Sequence, residues 1–371
     1  MRAVLIDTPA RRRTTGRGQS VNDERGLLMA TADRLFASIT GARNMPLSTS
    51  AVWRDRDWTA VEDAGLTLSL VPEHMGGFGI EMLDALLIVR SVGIFALPLP
   101  LPETMIANWL MSHAGIAPRS GAFSIATGDR DDQLQITRNG NAWRVSGILH
   151  RVPWARCVDG IVALADDGNR VARIPRSRLQ VKDGENLAAE PRDTITVDAS
   201  LEESEVGTLP LANDVSLLRC AGAAVRSVAI AGALTRLLEM TTQYAVDRVQ
   251  FGKSIGKFQA IQQYLAVLAG QTAAAAVAAD IAAEALSTTL SPLHVAIAKV
   301  RTAEAVGVAT SIAHQIHGAI GITQEYGLHQ ITRRLWSWRD EFGGDVEWAK
   351  VIGRRVVSVG GEEMWPMVTS I

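Results

Sequence analysis

Cysteines and long hydrophobic runs are scarce in this sequence. Cys157 and Cys220 are the only two cysteines in 371 residues, and their spacing matches no metal site. This excludes a disulfide framework and indicates free thiols in a reducing compartment. No run approaches the roughly 18 uninterrupted apolar residues that a membrane span requires. No apolar segment follows the arginines of the first twenty residues, so we expect a cytoplasmic protein without a secretory signal.

An excess of charge of one sign is also absent. The chain has 37 Lys and Arg against 39 Asp and Glu, a formal charge of −2, which provides no general attraction to nucleic acid or to an anionic membrane. His314 and His317 lie three residues apart, but no third ligand accompanies them, so a metal site is not predicted. A chain of this length is long enough for two or three domains.

The hydrophobic periodicity changes twice along the chain and predicts three folded zones. A flexible, arginine-bearing tail is expected at 1–20, a helical domain at 21–120, a β domain at 121–208 and a helical bundle at 209–371. In the first helical zone, helices are predicted over Asp23–Ile39, Met82–Val92 and Glu103–His113. The prolines between Leu97 and Pro102 exclude a helix there, since proline lacks the amide donor.

The middle zone alternates apolar and polar residues, as half-buried strands do. Leu134–Thr137 and Ala142–Gly147 flank Asn139-Gly140, a pair typical of a hairpin turn. Several short strands at this spacing predict a small antiparallel sandwich or barrel.

The third zone returns to long helices, predicted over Val215–Val246 and Ile261–Leu286. Ser291-Pro292 places an N-cap residue before a proline at the first helical position, which predicts the start of another helix. Long helices with short connections indicate a four-helix bundle. The fold class is therefore mainly α with a central β domain.

Three motifs carry a family resemblance. They are the turn Val71–Gly79, the segment from Tyr244 through Lys253 to Gln259 and Gln262, and the segment from Gln315 through Gly321 to Tyr326. Their order, spacing and residues resemble those of the acyl-CoA dehydrogenase flavoproteins. The chain is identified as a member of that family, which implies an N-terminal helical domain, a β domain and a C-terminal four-helix bundle.

The resemblance implies FAD as cofactor. The residues of this chain that match the family's FAD-binding positions are Arg248, Gln250, Phe251, Gln259, Gln315 and Gly318. A guanidinium such as Arg248 suits the pyrophosphate, and Phe251 offers a flat apolar surface. In the family, the Gln315–Gly318 segment comes from a neighbouring subunit, which implies a dimer at minimum and usually a tetramer.

The activity that the resemblance implies is oxidation of an acyl-CoA thioester to the 2-enoyl thioester, with electrons leaving through an electron-transfer flavoprotein. A glutamate removes the substrate α-proton, and its placement is tight. That position falls on Phe342, directly before Gly343, and phenylalanine accepts no proton. Glu341 is one residue away, and it is interpreted either as a displaced base or as an exposed surface acid. The alternative family position, within Leu217–Ala224, also lacks an acid.

The β domain departs from the family as well. The family's flavin-contacting loop aligns with Ser124–Asp131, which lacks its proline and its Gly-Ser-Asp end. In the following strand, Arg151 replaces the family tryptophan and Pro153 the threonine, so a hydroxyl and an amide hydrogen are lost. Trp154 is expected either beside the flavin or in the core.

Three functions remain open from the sequence. The chain is an ordinary dehydrogenase with a relocated base, a catalytically incomplete subunit of a heteromeric dehydrogenase, or a non-enzymatic scaffold that retains the fold. The acyl group, the presence of a working base and the choice between homo- and hetero-oligomer are not determined by the sequence.

Overall fold

The computed structural model describes residues 17–41, 55–126, 128, 131–140, 142–165, 168–209, 216–287 and 290–369. Most of the predicted tail at 1–20 therefore lies outside the described residues, and residues 17–20 already belong to the first helix. The chain then forms helices, strands and helices in that order, which confirms the predicted fold class.

The described residues of the N-terminal zone form the helices α1 (Arg17–Gly41), α2 (Asp55–Asp63), α3 (Met82–Ile94) and α4 (Leu101–His113). The proline-rich connector ends where α4 begins, with Pro102 in the first turn, a position where a missing amide hydrogen has no cost. Nearly all of α4 is buried, so this helix lies at the centre of the molecule, where its residues contact the β domain.

The β domain contains two four-stranded sheets. The strands are β1 (Phe123–Ile125), β2 (Gln133–Asn139), β3 (Ala142–Pro153), β4 (Gly160–Leu164), β5 (Arg170–Pro175), β6 (Leu179–Lys182), β7 (Arg192–Leu201) and β8 (Val206–Thr208). One sheet has the order β1-β4-β5-β8 and the other β2-β3-β7-β6. The predicted hairpin is confirmed, with Asn139 paired to Ala142. Pairing is antiparallel except between β1 and β4, which run parallel, a long-range contact that strand patterning does not reveal.

The C-terminal zone is built on three long helices, α5 (Ser216–Asp247), α6 (Gln259–Ser287) and α7 (Pro292–His317). A short hairpin of β9 (Val249–Gln250) and β10 (Lys253–Ser254) connects α5 to α6. The helices α8 (Leu328–Asp340), α9 (Asp345–Val359) and α10 (Gly361–Thr369) follow. Ser291 stands at the N-cap of α7 as predicted, although its side chain makes no capping hydrogen bond.

The N-terminal helices and the bundle meet where α3 crosses α5. A Cβ on Gly93 would overlap the carbonyl oxygen of Ala229, and one on Gly232 would overlap that of Arg90. The two glycines therefore allow the helix backbones to approach closely. Within the described residues, α5 and α6 are the helices long and apolar enough to cross a membrane; α5 is mostly buried in the protein, whereas most of α6 is exposed.

Candidate functional site

A cavity of about 660 Å³ lies between the β domain and the bundle. Its walls come from three places in the sequence: Gly128, Arg151 and Pro153 on the β domain, the loop 184–187 before β7, and the bundle residues Arg219, Trp336 and 340–344. The positions at which the sequence departs from the acyl-CoA dehydrogenase motifs that it resembles are far apart along the chain. The structure brings Gly128, Pro153 and Phe342 together around this one cavity.

Phe342 closes the position where the family base stands. The residue is 6% exposed, and its backbone is left-handed with a φ of +56°. Its ring lies against Gly222 of α5, where an added Cβ would overlap the ring. Gly222 belongs to the alternative base stretch, Leu217–Ala224, so one aromatic ring fills the space next to both expected base positions.

Glu341 is neither an exposed surface acid nor a free base. Its carboxylate accepts hydrogen bonds from Arg192 Nε and Arg226 Nε, each at 2.7 Å, and from Asn186 Nδ2 at 3.0 Å. Burial alone would raise the pKa of Glu341, but the guanidinium groups of Arg192 and Arg226 outweigh burial and lower it to about 2. A carboxylate with this pKa and these partners is a poor proton acceptor.

Glu341 belongs to a buried ionic network, called here the domain-junction cluster: Glu103, Glu190, Arg192, Arg226, Arg334 and Glu341. Arg226 of α5 also contacts Glu103 of α4, and Arg334 of α8 donates to Glu190 at 2.8 Å. Burial would raise the pKa of Glu190, but Arg334 and Arg192 outweigh it and lower that pKa. The cluster therefore joins all three zones with permanently charged groups.

Sequence reasoning missed this cluster because its members come from four stretches that are far apart in the sequence. One signal was available: charged residues within strongly apolar helices, such as Arg226 in α5 and Glu103 in α4, are rarely buried unless they are paired.

Three other carboxylates line the cavity, those of Glu185, Asp340 and Glu347. Glu347, in the first turn of α9, is paired with Arg219 of α5, whose guanidinium also lies 5.6 Å from the ring centroid of Trp348. Asp340 is 74% exposed and lies 4.0 Å from Arg339. Arg219 thus occupies the helix stretch that holds the base in some family members, and it presents a positive group there.

On the β-domain side, Pro153 lines the cavity and its carbonyl oxygen accepts a hydrogen bond from Ser124. Arg151 also lines the cavity, with a φ of +53°. Trp154 is 4% exposed and does not line the cavity, so the structure places it in the core. Thr127, Asp129 and Arg130 of the predicted flavin loop lie outside the described residues.

The segment around Arg248 forms a projecting hairpin at one end of the bundle. Arg248, Gln250 and Gln259 are exposed, and Phe251 is 91% exposed with a φ of +51°. Non-glycine residues in this left-handed region cost free energy and are concentrated at functional sites. In the described part of the chain, no carboxylate lies within ion-pair distance of the Arg248 guanidinium, which leaves it able to bind an anion.

Gln315 and Gly318, at the end of α7, lie near this hairpin in the same chain. The ring of His317 stacks on Tyr244 with centroids 4.4 Å apart, and Tyr244 Oη donates to the His317 carbonyl at 3.4 Å. His317 also lies 3.1 Å from the Tyr326 hydroxyl. Gln315 and Gly318 are both exposed. Within one chain the end of α7 therefore contacts the last turns of α5, which precede the hairpin.

Comparison with known proteins adds three findings. Residues 221–347 match the family model described as the acyl-CoA dehydrogenase C-terminal domain. The chain is 29% identical over 325 residues to the acyl-CoA dehydrogenase IpdE2 of Mycobacterium tuberculosis, covering 84% of this chain and 91% of that protein. Among solved structures, one similar fold is the ChsE4-ChsE5 complex of Mycobacterium tuberculosis, with a TM-score of 0.75 and 21% identity over 94% of this chain and 99% of that chain.

Another similar fold is a Tcur3481-Tcur3483 steroid ACAD variant, with a TM-score of 0.78 and 19% identity, covering 90% of this chain and 98% of that one. At these identities the two structures establish the likeness of fold alone.

Proposed function

We propose that this chain, which resembles the acyl-CoA dehydrogenases in its motifs and in residues 221–347, is one subunit of a heteromeric, FAD-dependent acyl-CoA dehydrogenase. The enzyme oxidises an acyl-CoA thioester to the 2-enoyl thioester. This chain supplies a dinucleotide-binding surface, and a second chain of the family supplies the base that removes the α-proton. The observation that carries the proposal is Phe342, whose buried ring fills the base position against Gly222.

The residues that line the cavity support a base supplied by the second chain. An α-proton acceptor must lie within hydrogen-bond reach of the α-carbon and must have a pKa suited to the transfer. Glu341 lies at the cavity wall, but two guanidinium groups hold its carboxylate and lower its pKa to about 2. Removing it from that network would leave Arg192 and Arg226 buried without their shared counter-ion, at a cost of about 3–5 kcal/mol.

The exposed hairpin supports cofactor binding. Arg248 would bind the pyrophosphate of FAD, Phe251 would pack on a ring, and Gln250, Gln259 and Gln315 would donate or accept hydrogen bonds, with Gly318 allowing close approach. FAD supplies the hydride acceptor for the β-carbon when it is bound. Pro153 lines the cavity without the hydroxyl and the amide hydrogen that the family places beside the flavin ring, which supports a flavin held mainly by the partner chain.

A second candidate is a homo-oligomeric dehydrogenase with its own relocated base. The presence of the cavity favours this candidate, and so does Glu347, whose carboxylate lies at the cavity wall beside Arg219. In either case we propose that electrons leave to an electron-transfer flavoprotein.

Co-purification separates the two candidates. The chain is expressed alone and with a second family chain that has a glutamate before the glycine matching Gly343, and the visible spectrum and acyl-CoA oxidation are recorded. The proposal predicts flavin absorbance and turnover only for the mixture. Arg248→Met should lower the flavin content of the mixture at least tenfold, whereas the matched control Arg355→Met, on exposed α9, should not. A yellow, active homo-oligomer that Glu347→Gln inactivates would contradict the heteromer.

A further inference from the structure

Three aromatic rings meet at the end of the bundle that carries the exposed hairpin. This aromatic cluster consists of Tyr244 in the last turns of α5, His317 at the end of α7 and Tyr326 just before α8. The centroid of the His317 ring lies 4.4 Å from that of Tyr244 and 5.1 Å from that of Tyr326, and the two tyrosine rings are 6.2 Å apart. His317 is 4% exposed, and both tyrosines are half-buried. The cluster therefore joins three elements that are far apart in the sequence.

Hydrogen bonds hold the His317 ring in one orientation and one tautomer. Its Nδ1 lies 2.8 Å from the Ala313 carbonyl oxygen, which can only accept, so Nδ1 carries the hydrogen. Burial lowers the pKa of His317 and outweighs the opposing effect of the Ala313 carbonyl, so the imidazole is neutral and its Nε2 is an acceptor. The Tyr326 hydroxyl, 3.1 Å from Nε2, is therefore the donor, and burial keeps this hydroxyl protonated by raising the pKa of Tyr326. Rotation of the imidazole would break both hydrogen bonds.

The cluster fixes the backbone next to residues that the proposed function assigns to FAD. Gly318 directly follows His317 and has a φ of +61°, which favours glycine, and the hydrogen bond from Tyr326 to His317 closes the turn that begins there. On the α5 side, the Arg248 amide donates to the Tyr244 carbonyl at 2.9 Å, so Arg248 lies one helical turn beyond the stacked ring. The position of the Gly318 turn against the end of α5 thus depends on these three rings.

We propose that the members of the aromatic cluster are positioning residues, which hold the Gln315–Gly318 segment against the end of α5 in the arrangement that binds FAD. This role rests on the proposed function, in which Gln315 and Gly318 contact the cofactor. Tyr326 donates its hydroxyl hydrogen to His317, so it acts on the segment through that ring. A surface that is already ordered binds its ligand more tightly than one that must be ordered on binding. Loosening the segment should therefore weaken FAD binding without removing a cofactor contact.

Hydrogen exchange of the purified full chain tests the contact itself, without flavin. Tyr326→Phe keeps the ring and removes the donor to His317, so the amides of residues 318–326 should exchange faster while those of α6 stay unchanged. The matched control is Tyr264→Phe, at a 43% exposed position on α6, which should leave exchange at residues 318–326 unchanged. Unchanged exchange of these amides in Tyr326→Phe, or equal acceleration throughout the bundle, would overturn the proposal.

Flavin binding by the mixture with the second family chain tests the positioning role. In titrations with FAD, Tyr326→Phe should raise the Kd about fivefold, the size expected for the loss of one hydrogen bond, and Tyr264→Phe should not change it. An unaltered Kd in Tyr326→Phe would overturn the positioning role alone. No flavin uptake by the unaltered mixture would contradict the proposed function, and this role with it.

A double-mutant cycle separates positioning from general stability. Because Tyr326 acts through the Gln315–Gly318 segment, Tyr326→Phe should change the Kd less than about twofold in a Gln315→Ala background. In the background of Arg355→Met, on the exposed face of α9, the change should stay at about fivefold. A merely structural role would lower the melting temperature equally in both backgrounds and leave the effects on the Kd additive. Additive effects of Tyr326→Phe and Gln315→Ala would therefore overturn the proposal.

Discussion

Glu341 shows how a single residue next to the reaction position can be excluded from the chemistry by its partners. Its side chain is 12% exposed and shares its two oxygens between two arginines. Breaking a buried ion pair by removing one charge costs about 3–5 kcal/mol, because the remaining charge stays desolvated. We therefore expect Glu341→Gln to lower the free energy of unfolding by about 3 kcal/mol in urea titrations.

The matched control for this change is Asp340→Asn, one residue earlier. Asp340 is 74% exposed, so its loss should change the free energy of unfolding by less than about 0.5 kcal/mol. Equal, small effects of both substitutions would show that Glu341 is not held by its arginines.

The pH dependence of Glu341 follows from the same contacts. Its pKa falls from an ordinary 4.5 to about 2 in the folded protein. A lowered carboxyl pKa contributes stability that is fully present above the unfolded value and is lost as the pH falls towards the folded value. The difference in the free energy of unfolding between the unaltered chain and Glu341→Gln should therefore be constant above pH 4.5 and decrease below it. A gap that widens on acidification would contradict this assignment.

Lys299 gives a pH dependence of the same sign as Glu341, in a higher pH range. It is fully buried on α7, where its ammonium donates to the Trp338 carbonyl at 2.7 Å, and burial lowers its pKa from 10.5 to about 7. Between these values the unfolded chain binds a proton that the folded chain releases, so stability rises with pH. Lys299→Met should remove this contribution and reduce the slope by about 1.4 kcal/mol per pH unit, measured from pH 7.5 to 9.5. The slope should not change in the exposed variant Lys350→Met.

At the scale of elements, periodicity and turn chemistry predicted most of the architecture. The Asn139-Gly140 hairpin and the α7 start at Pro292 were predictable because local residues determine both. The parallel pairing of β1 with β4 was not, since it joins strands that are distant in sequence. The same limit applies to the site. Motif matching identified Phe342 and Pro153, whereas the cavity that unites them and the arginines that bind Glu341 arise only from tertiary contacts.

The close crossing of α3 and α5 depends on the small size of Gly93 and Gly232, and a substitution at Gly93 tests it. Gly93→Ala gains about 1 kcal/mol of helix propensity, but its Cβ would overlap the Ala229 carbonyl oxygen. Overpacking typically costs about 1–3 kcal/mol, so a net loss of stability is expected in thermal unfolding. Gly353→Ala in α9, where nothing lies within 4 Å of the new Cβ, should be neutral or stabilising. A stabilised Gly93→Ala variant would contradict the close crossing.

At the scale of the whole molecule, the domain-junction cluster is what binds the helical, β and bundle zones into one unit. Arg226 of α5 contacts Glu103 of α4 and Glu341 after α8, and Glu341 in turn contacts Arg192 at the start of β7. Burial would lower the pKa of Arg226, but Glu103 and Glu341 outweigh burial and raise it, so the arginine stays charged. This buried charge links residues of all three zones within one network of ion pairs.

Arg226→Met should therefore uncouple the zones as well as destabilise them. It leaves Glu103 buried without its counter-ion and removes one of two from Glu341, a change expected to cost at least 3 kcal/mol. In hydrogen exchange followed by mass spectrometry, amides of α4 and β7 should lose protection before those of α6 and α7. Adding Glu103→Gln should restore part of the lost stability, because it removes the charge that Arg226→Met leaves unpaired. Uniform loss of protection across the chain, with no recovery in the double variant, would show that apolar packing and not the cluster joins the zones.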